Sequence, residues 1–362
     1  KRGGVGFVID LSTRQSLPLI SLQPANIPNA TGSGTNINND GTCIVGYQSS
    51  GDFTPFHAFR WTEATGSVDL GTLDPSNNAT FSSFAADTNQ DCSVIVGNSS
   101  ITNTFIEHAF RWTQAGGMVD LGAPAGASNQ SQALGVSSDG TVVVGDADFQ
   151  RTGSFPGTIR QAFRWTQAGG FQNIDNPAQS TLSLSTAVSG DGTVVVGQVR
   201  DSNTTSRAFR WTTQTQIMQN IGPLPGHTTA AATGVSDNGK IVVGISHPEF
   251  LQYGGPVLGW NKGGTAFRWT AAKGVRELRQ ELIDGGEDLT GITLVSVTGM
   301  SRDGQWMQGQ AKTPQTGLTE TVAFIAQVCD DDIGGPCSTT GAAPFTLGAA
   351  NQNLTVAAGQ SA

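Results

Sequence analysis

The chain has 362 residues, a formal net charge of −9, only 13% charged residues and 48 glycines. An acidic, lysine-poor surface offers no basic footprint for nucleic acid or anionic lipid, which excludes both as partners. No stretch is long and apolar enough to cross a bilayer, so membrane insertion is not expected.

One phrase, Ala-Phe-Arg-Trp-Thr, recurs at about fifty-residue intervals, starting at Ala58, Ala109, Ala162, Ala208 and Ala266. Degenerate copies stand at the ends, Gly6-Phe7-Val8-Ile9 and Ala323-Phe324-Ile325-Ala326. A fixed period of this size is the mark of a repeat architecture. Each unit reads as four short strands, best seen in residues 133–174. Ala133 to Ser137 is the first strand, Ser138-Asp139-Gly140 a tight turn, and Thr141 to Gly145 the second strand. After a loop, Ala162 to Thr166 makes the third strand, and Gly169-Gly170 turns into a fourth around Phe171 to Ile174.

Asp-Gly and Asn-Gly pairs at 40–41, 139–140, 191–192, 238–239 and 303–304 supply the positive φ that two-residue hairpins need. Asp91-Cys92 departs from that rule, and cysteine fits a strict type I′ turn badly. The second strands, such as Val142-Val143-Val144, are apolar on both faces and are therefore expected to be covered on both. Helical periodicity is absent except for a short candidate from Val275 to Ile283. Four-stranded units covered on both faces describe the blades of an all-β propeller. The Phe column at 7, 59, 110, 163, 209, 267 and 324 defines six intervals, which favours six blades. Seven would follow if residues ahead of Lys1 completed a first blade. The two end copies lack Arg and Trp and are expected to meet in the closing blade.

Four cysteines fall into two pairs. Cys43 and Cys92 occupy near-equivalent places in the first two complete repeats and would staple neighbours. Cys329 and Cys337 bracket Asp330-Asp331-Asp332, an acidic run that is a weak calcium candidate beside the reading as a solvated linker. Two disulfides imply an oxidising compartment, with buried free thiols as the other reading. No secretory leader is visible, so a secreted form would have lost it before residue 1.

The arginine column, Arg60, Arg111, Arg164, Arg210 and Arg268, stands beside the tryptophan column, Trp61, Trp112, Trp165, Trp211 and Trp269. A ring of arginines could bind an anion, but repetition in every unit favours a structural role between blades. The tryptophans read as core anchors. His57, His108, His227 and His247 belong to no metal motif, and no nucleophile elbow or phosphate loop is present. Asp146 and Asp148 form a carboxylate pair to which sequence alone gives no shared cleft. No catalytic residue and no cofactor is expected. Ligand binding is expected on the irregular connections, because variable loops on a rigid scaffold are where recognition usually sits. The two outstanding ones are Asp146 to Arg160, with Asp148, Phe149, Arg151 and Phe155, and Ile245 to Thr265, with His247, Tyr253 and Trp260.

The phrases His57-Ala58-Phe59-Arg60-Trp61, His108-Ala109-Phe110-Arg111-Trp112, Val68-Asp69-Leu70-Gly71 and Val119-Asp120-Leu121-Gly122 resemble the HAF repeat family of bacterial extracellular and autotransporter-like proteins. The resemblance spans about residues 5–328 and implies a secreted or surface-exposed bacterial protein, with no common activity. The leading histidine becomes Gln161, Arg207 or Thr265 in later copies, so it is not a functional constant here. The expected organisation is a propeller over residues 1–328, a linker over 329–342 with the Cys329–Cys337 bridge, and the start of an immunoglobulin-like module over 343–362. The expected role is a non-enzymatic recognition or structural module that engages glycan or protein, alongside neighbouring immunoglobulin-like modules of the same polypeptide. A hydrolase or lyase with its active site at the channel mouth is the alternative.

Overall fold

The computed structural model describes residues 7–9, 31–38, 40–49, 55–74, 81–101, 106–151, 157–175, 180, 182–200, 205–249, 264–314, 321–329, 345–350 and 354–356. Contacts divide the chain into two compact units, residues 1–173 with 355–362 and residues 174–354.

In the first unit β1 (Phe7–Ile9) is followed by three four-stranded antiparallel sheets. They comprise β2 (Thr31–Ile37), β3 (Cys43–Ser49), β4 (Phe56–Thr62) and β5 (Gly66–Asp69); β6 (Ser83–Thr88), β7 (Val94–Ser100), β8 (Glu107–Thr113) and β9 (Gly117–Gly122); and β10 (Ala127–Val136), β11 (Val142–Arg151), β12 (Gly157–Thr166) and β13 (Gly170–Asn173). The second unit holds β14 (Leu182–Val188), β15 (Val194–Arg200), β16 (Ser206–Thr212) and β17 (Gln219–Asn220), then β18 (Thr229–Val235), β19 (Ile241–His247), β20 (Thr265–Thr270) and β21 (Gly274–Glu277). A single parallel bridge, Ser206 to Thr229, joins those two sheets. After α1 (Leu278–Asp284) comes the last sheet, β22 (Thr293–Met300), β23 (Trp306–Lys312), β24 (Val322–Gln327) and β25 (Phe345–Ala350); β26 (Leu354–Val356) pairs with β1.

The repeated phrase is always the third strand, and Val-Val-Val-Gly the second, in a constant register: Gly46↔Phe59, Gly97↔Phe110, Gly145↔Phe163, Gly197↔Phe209 and Gly244↔Phe267. Each first strand carries a bulge opposite this glycine, for example between Ala133 and Gly135. There the backbone approaches so closely that a Cβ on Gly145 would overlap the Gln132 carbonyl oxygen. The apolar cores of the second strands, such as Val142-Val143-Val144, and the phenylalanines from Phe59 through Phe324 are buried. Threonines at the bulges tie neighbouring sheets. Thr35 Oγ1 donates to the Ala85 carbonyl at 2.7 Å, Thr186 to that of Ala232 at 2.8 Å, and Thr233 to that of Val297 at 2.8 Å.

Several expectations are corrected. The Asp-Gly turns are not type I′, because only the glycine is left-handed (Gly140 φ 71). The loop is four residues wide: Gly140 N–H donates to Ser137 C=O and Ser137 N–H to Val142 C=O. The Asp139 carboxylate then accepts from Ser137 Oγ, Thr141 N–H and Thr141 Oγ1, so the side chain replaces a backbone bond. In the second repeat Cys92 holds the left-handed position itself (φ 59) and is bonded to Cys43 of the preceding sheet, with Cα atoms 6.3 Å apart. The helix begins at Leu278 rather than Val275, since Gly274–Glu277 is used as a fourth strand.

The two end copies do not share a sheet: Phe7 lies on β1, paired with β26, and Phe324 on β24. Nor does residue 343 open an independent module. Phe345–Ala350 completes the last sheet against β24, pairing Phe324↔Leu347 and Ala326↔Phe345, with the Phe324 and Phe345 rings stacked at 6.0 Å. An apolar alternation beside an unpaired strand edge is recruited by that edge. Cys329 is disulfide-bonded, and its expected partner Cys337 lies outside the described residues.

Candidate functional site

The two ends of each sheet differ in chemistry. At the end carrying the Asp-Gly turns, the arginine column reaches across to the next sheet. Arg111 donates through Nε (3.3 Å) and Nη2 (3.2 Å) to the Gly140 carbonyl, and Arg210 does the same to Gly239 (both 3.2 Å). Arg210 also lies over the Trp269 ring at 5.7 Å. Arg268 is completely buried and paired with Glu281 of α1 at 3.2 Å. Arg60 and Arg164 occupy the same strand position, opposite Val68 and Gln172. Trp211 and Trp269 are buried, and Trp61, Trp112 and Trp165 half-buried. An arginine with its fork on a neighbour's carbonyl is a clamp between sheets.

At the opposite end the leading histidines meet the Asp of the Val-Asp-Leu-Gly phrase. His57 Nδ1 lies 2.8 Å from Asp69, and His108 Nδ1 2.9 Å from both Asp120 oxygens. Where histidine is lost the partner changes too, and Asn173 Nδ2 donates to Gln161 Oε1 at 2.8 Å. The Asp69 hydrogen bond, opposed by burial, raises the His57 pKa above its ordinary value.

Here too, two positions pair side chains with changing chemistry in the first four repeats. One follows the second-strand glycine; the other lies two before the Ala of the phrase. The pairs are Tyr47 with Phe56 (edge-on, centroids 5.3 Å), Asn98 with Glu107 (2.7 Å), Asp146 with Arg160 (3.6 Å) and Gln198 with Ser206 (2.6 Å). In the fifth repeat Ile245 fills the space that a Cβ on Gly264 would need.

The third repeat makes this position a small, open polar cleft of about 20 Å³, lined by Glu107, Gln130, Ser131, Gln132, Asp146, Ala147, Asp148 and Arg160. Asp148 and Arg160 face each other because β11 and β12 form an unbroken ten-residue hairpin, with Asp148↔Arg160 and Asp146↔Ala162 in register. Gln132 is brought opposite Asp146 by β10. Gln132 Nε2 donates to Asp146 Oδ2 at 2.8 Å, and Arg160 Nε lies 3.3 Å from Asp148 Oδ1. The Asp146 side chain is 2% exposed, that of Asp148 17% and that of Arg160 37%, so the guanidinium stands at the mouth. Burial pushes the Asp146 carboxyl up to about 6, against the Arg160 charge and the Gln132 hydrogen bond, with the Asp148 charge pushing the same way as burial. The cleft thus presents carboxylate and amide acceptors beside one planar donor.

The stretch 146–160 was expected to be an irregular loop; Asp148 and Phe149 instead sit on β11, and Arg151 ends it opposite Gly157. Phe149 packs against the core shared by the second and third sheets. His247, expected on an exposed loop, is the buried last residue of β19, and its Nδ1 accepts from Glu249 N–H at 3.0 Å. Phe155, Tyr253, Trp260 and the calcium candidates Asp330, Asp331 and Asp332 lie outside the described residues. Among the described residues no group of three metal-ligating side chains converges. Sequence reasoning missed Glu107, Gln132 and Tyr47 with Phe56. Stacking the repeats on their second-strand glycine would have exposed them, because those columns change character from copy to copy.

No protein-family model and no curated protein sequence matches the chain. Among solved structures it is similar to a prolyl endopeptidase, at 11% identity and TM-score 0.53, over 85% of this chain and 42% of that one. It is also similar to apo prolyl oligopeptidase B from Galerina marginata, at 8% identity and TM-score 0.50, over 82% and 42%. TolB from Acinetobacter baumannii matches at 11% identity and TM-score 0.46, over 80% of this chain and 62% of that one. The chain spans about two-fifths of the length of the prolyl oligopeptidases it matches. The resembled folds are β-propellers, and the likeness speaks to fold alone: this is a propeller-type, all-β protein of four-stranded antiparallel sheets.

Proposed function

We propose that the chain is a non-enzymatic recognition module of an extracytoplasmic, surface-exposed bacterial protein, its sheets the blades of a six-bladed propeller built from HAF-type repeats. It engages glycan or protein at the sheet ends opposite the Asp-Gly turns. The Cys43–Cys92 bond supports an oxidising compartment. The observation that carries the binding role is the polar cleft of the third repeat. There three carboxylates and an arginine line one cleft, at a position that other repeats fill with an amide and hydroxyl, or with Ile245. A position that repeats could fill uniformly but instead furnish with charge is better suited to a ligand than to packing.

The test is binding of the purified chain to an array of glycans and bacterial and host surface proteins, with a glycosidase, esterase and lyase panel alongside. Attachment that Arg160→Ala removes while the melting temperature holds supports the reading. Turnover that depends on Asp146 or Asp148 would replace it with the hydrolase or lyase reading, since a buried carboxyl with raised pKa is also what acid catalysis uses.

A further inference from the structure

Two positions away from the charged cleft, the first repeat fills the same columns with aromatic rings. Tyr47 stands edge-on to Phe56 at 5.3 Å and to Phe84 at 5.2 Å, and Phe56 lies 5.8 Å from Phe84. Tyr47 and Phe84 are half-buried and support Phe56, which is 38% exposed, one of four large hydrophobic side chains so exposed among the described residues. The three rings continue directly into the polar cleft. Phe84 on β6 is the register partner of Asn98 on β7; Asn98 donates to Glu107; and Glu107 lines the pocket of Gln132, Asp146, Asp148 and Arg160. All of these residues belong to the first compact unit.

Resting on the recognition role proposed above, we infer that this unit carries an extended saccharide site. Phe56 is its stacking platform, and the cleft of Glu107, Asp148 and Arg160 is its hydroxyl-binding half. A pyranose ring shows an apolar C–H face and an equatorial belt of hydroxyls, so it needs an aromatic surface beside paired acceptors and donors. The surface has that order, rings first and carboxylates with a guanidinium next. Three carboxylates against one arginine set the sign of the field, which favours neutral or amino sugars over uronic acids.

The experiment titrates the full chain with cellohexaose, chitohexaose, hexa-glucosamine and hexagalacturonate by calorimetry, in wild type, Phe56→Ala, Arg160→Ala and Phe56→Tyr. Binding of a neutral or amino hexamer, none of hexagalacturonate, a loss of roughly tenfold in Phe56→Ala and its recovery in Phe56→Tyr are expected. Circular dichroism and melting temperature confirm that each variant folds. Failure of every hexamer to bind, or preference for hexagalacturonate, overturns the saccharide site. Saccharide binding lost in Arg160→Ala but untouched in Phe56→Ala overturns the aromatic half and leaves the recognition role standing. Attachment to a protein on the array with no hexamer bound rejects this inference and not the broader one.

Discussion

The two ends of these sheets obey different rules. At the turn end one solution is reused: an Asp or Asn side-chain oxygen caps a four-residue loop, and an arginine from the preceding sheet grips the carbonyl of its glycine. At the other end the same backbone presents aromatic, amide, charged or aliphatic pairs in turn. Uniform contacts propagate the fold from sheet to sheet, and variation is confined to the end that those contacts do not use. Uniform clamping and side-chain variety therefore reside at opposite ends of one strand.

Removing the cross-link should damage the turn end most. Cys43→Ser with Cys92→Ser releases a 49-residue separation, worth about 4 kcal/mol in a chain-entropy account. Denaturant midpoints with and without reductant would read the loss, and saccharide affinity should survive in the folded fraction. An unchanged midpoint would deny the bond its structural role.

The connection end should behave in the reverse sense. The Asp146 pKa is raised from 3.8 to about 6 in the folded chain, so the native state holds its proton more tightly than the unfolded chain does. Stability then falls as pH rises from about 4 to about 6 and stays lower above, by on the order of 3 kcal/mol. Asp146→Asn should be more stable than wild type at pH 8 by up to about that amount and nearly equal to it at pH 4. A variant less stable at pH 8 would show that Asp146 holds the sheet together rather than burdening it.

Arg111→Ala should cost about 1–2 kcal/mol by loss of a charge-assisted bond to Gly140, and Arg111→Lys should fail to restore it, lacking the fork. Restoration by lysine would reduce the clamp to simple charge. The smallest effect is expected at His57. Its pKa is raised by Asp69, so the added stability is complete below about 6.5 and fades as pH climbs through the folded value. His57→Gln should therefore lose stability at pH 5.5 but hardly at pH 8.5, by less than about 1 kcal/mol for so exposed a pair. Equal losses at both values would assign the pair to packing.

The strand order was legible in the sequence because it rests on local chemistry: turn residues, a period of two and apolar runs. The Phe column gave the count of repeats, and the Cys43–Cys92 pairing followed from equivalence of position. What was not legible depends on contacts between repeats. Asp146 and Arg160 are fourteen positions apart, and nothing local says that β11 and β12 extend until the two face each other. The reading of 146–160 as a loop failed because alternating polar residues there lack the apolar signature of a strand buried on both sides. His247 was misplaced for the opposite reason, a polar residue taken into the core by the strand it ends. The fourth strand of the last sheet was hidden by its distance in sequence from β24.

Under tension, the bond between Cys43 and Cys92 makes the protein mechanically asymmetric. A chain pulled from its two ends can never pay out the segment between those cysteines, which hides roughly 160–170 Å of contour length at about 3.4 Å per residue. Under such a force the segment from Cys43 to Cys92 would stay closed as a tether while the chain outside it unravels.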